Sequence, residues 1–435
     1  MRKIIIHDER YISPFNEPAR DLRVLNKPLW LWQRDILSSY TTEEREVPSV
    51  DWAPDDPVET IMHRDNLFFD EPLISEFIRR AQRSGQPRRI AFRDDDAAIV
   101  THALPLSTGF ERQGDLLLAD LWYYPRGIVD QVTPLVIDTE AREIGYYHIP
   151  TYMSTDRGEL VYQVPKKAFV SLENWPHLYV ITVAFGLFAR GNRFELRTDQ
   201  DLGFKLRIFL RGILEQKQVL SSSGAVTVGR NVYVDPSATI LGPATIGDNT
   251  TIGAGAVIDN SIIGSNVNIS QGCQVMLSVV SDGCFLPFRS SLFMTSMMEN
   301  TIVAQNTCLQ MSVLGRHSFI GAGSTFTDYN LLARPLRVKL SREMTEVEMP
   351  VLGGCVGHNC RLGSGLIVYP ARTIESDVVL FASPERRVIS KNVYYEDSDH
   401  HKVGSDAHPR LYPRQGERSA RRRRGANPLD EGSVA

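Results

Sequence analysis

No glycine precedes Gly85, no cysteine precedes Cys273, and no apolar stretch approaches the roughly 20 residues of a membrane-spanning helix. Each absence excludes something. Without an early glycine, no glycine-rich phosphate loop can form near the N-terminus. The apolar run Leu178 to Ala189 is too short to span a bilayer and reads as a buried strand. In the opening MRKIIIHDER, Asp8 and Glu9 come too soon for a signal peptide, so a cytoplasmic protein is the expectation. All five cysteines (Cys273, Cys284, Cys308, Cys355, Cys360) lie in the second half, and the spacing of Cys355 and Cys360 is not that of a zinc finger, so they read as small buried thiols. A formal charge of −4 gives no reason to expect nucleic acid or a membrane surface as partner. At 435 residues the chain is too long for one core, and two or three domains are expected.

What is present is a repeat. Aliphatic residues recur every six positions at Val228, Val234, Ile240, Ile246, Ile252 and Ile258, resume after a five-residue step at Ile263, Ile269 and Val275, and return as Leu309, Leu314, Ile320 and Phe326. They reappear as Val356, Leu362, Val368, Ile374 and Leu380. A period of six suits neither a helix nor a flat strand on one core. It suits a triangular coil, in which the aliphatic of each side points inward and stacks on one about 18 residues later, with Gly, Asn and Asp at the corners. The spacing predicts a left-handed parallel β-helix over 225–390. Leu331 to Pro350 breaks the period, carries Arg334, Arg337, Lys339 and Arg342, and reads as a loop thrown out from a corner, on the binding face.

Residues 1–198 read as an α/β domain. A strand is expected at Lys3 to Ile6, a helix after Asn26 and Pro28, and a helix from Asp70 to Ser84 stopped by Gly85. Two short strands, Ile90 to Phe92 and Ala97 to Val100, are expected to form a hairpin through Asp94, Asp95 and Asp96, a solvated turn in preference to a metal site. Residues 199–224 read as a linker helix with Leu202, Leu206, Phe209, Leu210 and Ile213 on one face. The tail 391–435, with the run Arg421 to Arg424, has no apolar period and reads as disordered.

Several segments carry a resemblance. SPFNEPARDLRVLNKPLWLWQ (Ser13 to Gln33), LENWPHL (Leu172 to Leu178), IGAGSTFTDYN (Ile320 to Asn330) and VLGGCVGHNCRLGSG (Val351 to Gly365) resemble the bifunctional sugar-1-phosphate nucleotidyltransferase and acetyltransferase family. The resemblance implies a degenerate nucleotidyltransferase-like domain before the coil, a homotrimer, and a sugar phosphate, nucleotide or acyl-CoA as ligand. It places substrate contacts at Asp328, Tyr329, Asn330 and Lys339 in the coil, with acetyl-CoA as acyl donor; in the first domain, charge makes Arg23 and Lys27 the candidates to hold a sugar phosphate and Asp120, at a strand end, the candidate for Mg²⁺, with ordinary surface and strand-end roles as the alternative for each. The family's general-base histidine falls on Gln310, which has no lone pair to take a proton near neutral pH. His317 and His358 are the candidates to substitute, and a structural corner role is the alternative for each. The Met-rich SLFMTSMMEN (Ser291 to Asn300) replaces a polar motif and reads as either an apolar contact surface or coil filling. Two functions follow: a sugar-nucleotide pathway transferase, or an inactive scaffold or regulatory subunit that kept the architecture.

Overall fold

The computed structural model describes residues 1–52, 56–150, 152, 158–332, 334–340, 343–404 and 408–417. Arg342 and the run Arg421 to Arg424 lie outside them.

The hexad aliphatics build a left-handed parallel β-helix of three parallel sheets, eight strands each, in which successive strands of a sheet come from successive coils. Ile240 pairs with Ile258, then Val275, Leu292, Leu309, Phe326 and Val368. One side is a residue shorter, so from Ile246 onward (Ile263, Val280, Met297, Leu314) a coil takes 17 residues, not 18. Val228, expected inward, is 51% exposed because it lies at the open end with no coil beneath it. Small residues two places before the aliphatics bridge the coils: Ser278 donates its amide to Ser261 Oγ, and Thr295 donates to Ser278 Oγ, both at 3.0 Å.

The first unit holds a mixed seven-stranded sheet. Its central strands are Arg2–Ile6, Thr60–Arg64, Leu116–Tyr124 and Arg88–Arg93. Asp70 caps the helix Glu71–Ser84 by accepting from Leu73 N, and Gly85 ends it in the left-handed region, as expected. Two other expectations fail. Ala97 to Val100 opens a helical turn, not a strand, because Asp96 accepts from Ile99 N and Thr139 N and caps it. Leu178 to Ala189 is helical, in Trp175–Thr182 and the wider turn Val183–Phe188, and is buried on every side; an all-apolar run does not distinguish a buried helix from a strand. The helix continues as Ala189–Gln200, and Asp201 then caps the separate helix Leu202–Glu215, which lies within the expected linker.

The two units share one core. Met294, Met298, Met311, Val313, Val351 and Leu352 of the coil belong to the same buried cluster as Phe15, Phe169 and Tyr179. In the Met-rich segment, Met294 and Met298 therefore face the chain's own first domain, while Met297 fills the coil.

The tail is not disordered throughout. Residues 391–404 and 408–417 pack back on the coil because their polar groups find charged partners: Arg414 pairs with Glu375 and Glu396, and Tyr412 N donates to Asp377 at 2.6 Å.

Candidate functional site

Most charged residues singled out in the first domain are engaged in structural pairs. Asp120 accepts from both Arg64 and Arg89, the latter at 2.9 Å. A Mg²⁺ ion does not fit a carboxylate whose two oxygens are so taken, and no cluster of three metal-ligating side chains occurs among the described residues. Arg23 bridges to the coil, 2.7 Å from Glu299 and 3.4 Å from Asp282, and Lys27 pairs with Asp35 at 2.7 Å. The Ser13 to Val24 segment is a clasp. Pro14 O and Phe15 O accept from Ser376, and Glu17 pairs with Arg316 at 2.6 Å and with His358 at 3.1 Å.

His358 is fully buried in this clasp. Its Nδ1 accepts from Arg316 N at 2.9 Å, and its ring lies against Phe15 and Tyr412. Burial lowers its pKa, although the Glu17 carboxylate pulls the other way. Burial alone would raise the Glu17 carboxyl, but the His358 hydrogen bond and the Arg316 guanidinium outweigh it and hold Glu17 below the usual range. His317 is exposed at a coil corner with φ +57°, in the column occupied by asparagine in other coils. Neither histidine lines the cavity described next.

That cavity, about 1170 Å³, lies where the hairpin Arg142–His148 with Glu159–Val164 meets the coil and its excursion 331–350. The excursion forms its own hairpin, Arg337–Leu340 with Glu343–Glu346. The coil contributes Asp328, Tyr329, Asn330, Tyr369 and Arg372, the excursion Arg334 and Arg337, and the first domain Tyr147 and His148. The expected Asp328, Tyr329 and Asn330 are thus brought together. Lys339 is not among the lining residues; its ammonium sits 4.5 Å from the Tyr394 ring.

Two features give the cavity its chemistry. Among the described residues, Arg334, Arg337 and Arg372 form no ion pair with a carboxylate; Arg372 donates only to Pro370 O and Arg337 O, and burial lowers its pKa. Three guanidiniums without carboxylate partners suit phosphate oxygens, which they can grip bidentately. Asp328, only 4% exposed, lines the same cavity. The Gln310 amide nitrogen lies 2.9 and 3.0 Å from its two carboxylate oxygens, an orientation the carboxylate itself selects. Burial raises the Asp328 carboxyl above its ordinary range, against the Tyr147 hydroxyl and neighbouring backbone N–H groups that favour the ionised form. Tyr147 is pushed up to about 12 by burial and by Asp328. Gln310 and Asp328 thus form a pair at the place where the family resemblance expects a histidine.

Sequence reasoning missed Tyr147, His148 and Arg372. Arg372 lies in an ordinary hexad. Tyr147 and His148 lie about 180 residues from Asp328, and no sequence pattern links them.

Residues 225–260 match the family described as bacterial transferase hexapeptide (six repeats). The bifunctional protein GlmU of Baumannia cicadellinicola subsp. Homalodisca coagulata is 28% identical over 109 residues, covering 25% of this chain and 23% of the relative. That of Ruthia magnifica subsp. Calyptogena magnifica is 26% identical over 125 residues, 25% of this chain and 28% of the relative. The matches therefore span about a quarter of the length of these curated relatives. A UDP-N-acetylglucosamine acyltransferase from Campylobacter jejuni covers 37% of this chain and 68% of its own at 11% identity, with a TM-score of 0.23. By the segment 225–260 and the triangular coil it opens, this chain carries the hexapeptide repeat of the bacterial transferases.

Proposed function

We propose that this protein is a transferase that moves an acyl group from an acyl-CoA, acetyl-CoA among them, to a sugar phosphate or sugar nucleotide held in the cavity between the first-domain hairpin and the coil. The observation that carries this reading is that one cavity holds three guanidiniums with no carboxylate partner among the described residues together with one buried carboxyl. Arg334, Arg337 and Arg372 hold the phosphate. The acceptor amine or hydroxyl attacks the thioester carbonyl and gives its proton to Asp328. The carbon–sulfur bond then breaks, and the departing thiolate takes that proton back. A carboxyl raised by burial is a better base than an exposed one, which suits Asp328 to the place of the missing histidine. Gln310 orients it.

Nucleotidyl transfer has less support, because Asp120 is ion-paired and the segment after the first strand clasps the coil. The reading includes a homotrimer. Leu206, Phe209 and Ile213 on the helix Leu202–Glu215 are each more than half exposed, an apolar face that a neighbouring copy would cover.

The test is acyl transfer to a panel of sugar phosphates and nucleotide sugars, with Asp328→Asn beside the parent. The substitution is expected to lower kcat by at least about 100-fold while thermal-shift titration still registers the sugar phosphate. A parent that shifts with neither donor nor acceptor would instead support the second reading, a scaffold subunit, which the clasp of Ser13 to Val24 on the coil favours.

A further inference from the structure

The hairpin that walls the cavity belongs to the first domain, and it is built to aim one side chain at the coil. Strands Arg142–His148 and Glu159–Val164 pair antiparallel, with an irregularity between Gly145 and Tyr147. Such a bulge re-aims the residues beside it. Here it separates two adjacent tyrosines. Tyr146 turns into the domain and stacks on Tyr162 with centroids 3.7 Å apart and planes 6° from parallel, and Tyr162 in turn meets Tyr179 hydroxyl to hydroxyl at 3.0 Å. Tyr147 turns outward into the cavity, where its hydroxyl lies against the Asp328 carboxyl. The stack anchors the strand that carries the outward tyrosine in the buried core of the first domain.

We infer that the first domain completes the transfer site of the coil, with Tyr147 as the positioning residue that donates a hydrogen bond to Asp328 and fixes its orientation and its protonation. The inference rests on the proposed role of Asp328. Tyr147 and Gln310 approach the carboxylate from different domains, and together they occupy lone pairs that would otherwise let it rotate. A first domain without a glycine-rich loop thereby serves as one wall of the site.

Tyr147→Phe removes the hydroxyl and keeps the ring. Two readouts separate this inference from the reading it rests on. The first is the titration of the Asp328 carboxyl in the full-length protein, observed by ¹³C-labelled aspartate spectra differenced against Asp328→Asn. Loss of a donor to the ionised form is expected to raise the midpoint by about one pH unit. The second is steady-state transfer. In Tyr147→Phe, kcat is expected to fall about 10-fold or more with KM within about twofold, and the double variant Tyr147→Phe/Asp328→Asn is expected to be no slower than Asp328→Asn alone. An unmoved carboxyl midpoint overturns the inference whatever the activity. So does an unchanged kcat in an active enzyme. A moved midpoint in a protein that transfers nothing sustains the pairing and sinks the transferase reading alone.

Discussion

Two corners of the same coil ask for the same backbone and receive opposite side chains. In the coils before the excursion, the left-handed side chains of one column are Asn231, Asn249, Asn266, Asn300 and His317, all exposed, and those of another are Asn260, Leu277, Met294 and Met311, of which the two methionines are fully buried; beyond the excursion the first column continues in Asn359 and Asp377, both buried. Before the excursion the φ values are alike, +54° to +57° against +38° to +48°. A left-handed conformation costs a non-glycine residue roughly 1–2 kcal/mol, and asparagine pays least because its amide bonds locally. At the solvent corner the ladder shows this, with Asn231 donating to Asn249 at 3.2 Å and Asn249 to Asn266 at 3.3 Å. At the other corner the first domain presses on the coil, and burial of a methionine side chain outweighs the strain. The coil's backbone sets the corner; the neighbour chooses the residue.

The largest effect is expected from exchanging one column's residue for the other's. Met294→Asn relieves the backbone but puts an amide into the shared core, and should cost about 3 kcal/mol, read as a lowered midpoint in urea unfolding. A cost below about 1 kcal/mol would mean that the first domain does not select that corner.

Acid should act on the same seam. His358 and Glu17 both have folded pKa values below their ordinary 6.5 and 4.5, so the unfolded chain binds protons more readily than the folded one. Their contribution is full above those values and is lost as pH falls, first through His358 below 6.5 and then through Glu17 below 4.5. Melting temperature is therefore expected to drop between pH 6.5 and 5, and to drop less in His358→Gln. Equal slopes for the two proteins would place the acid sensitivity elsewhere. The smallest effect belongs to the exposed column. Asn249→Ala should cost about 1 kcal/mol for the left-handed alanine and the two ladder bonds, with no change in the affinity of the cavity for sugar phosphates.

The inward register was legible wherever the hexad ran, from Ile240 to Val275 and again from Leu309 to Leu380, because each aliphatic there has one environment, a stack of its own kind. It was less legible at Met297, which fills the same place without being aliphatic and branched. Helices and strands of the first domain were legible where local signals decide, as at Asp70 and Gly85. They were misread where burial on all sides erases periodicity, as from Leu178 to Ala189, and where a cap replaced a turn, as at Asp96. The tail shows the same limit: Arg414 and Tyr412 look solvated until Glu375 and Asp377 are brought to them.

The candidate site divides the same way. Asp328, Tyr329, Asn330 and the arginines of the excursion were marked by motif and by the break in the repeat, both local properties of the chain. Arg23, Lys27 and Asp120 were marked by charge alone, which does not say whether a partner is near. By itself the sequence determined the coil, its handed corners and the place where it is interrupted, since a repeat carries its own neighbours. Only the tertiary structure decided that Glu17 and His358 form a clasp, that methionines face the first domain, and that Tyr147 meets Asp328. Those contacts join residues far apart in the chain, and their energy comes from desolvation and charge that arise only once the two units share a core.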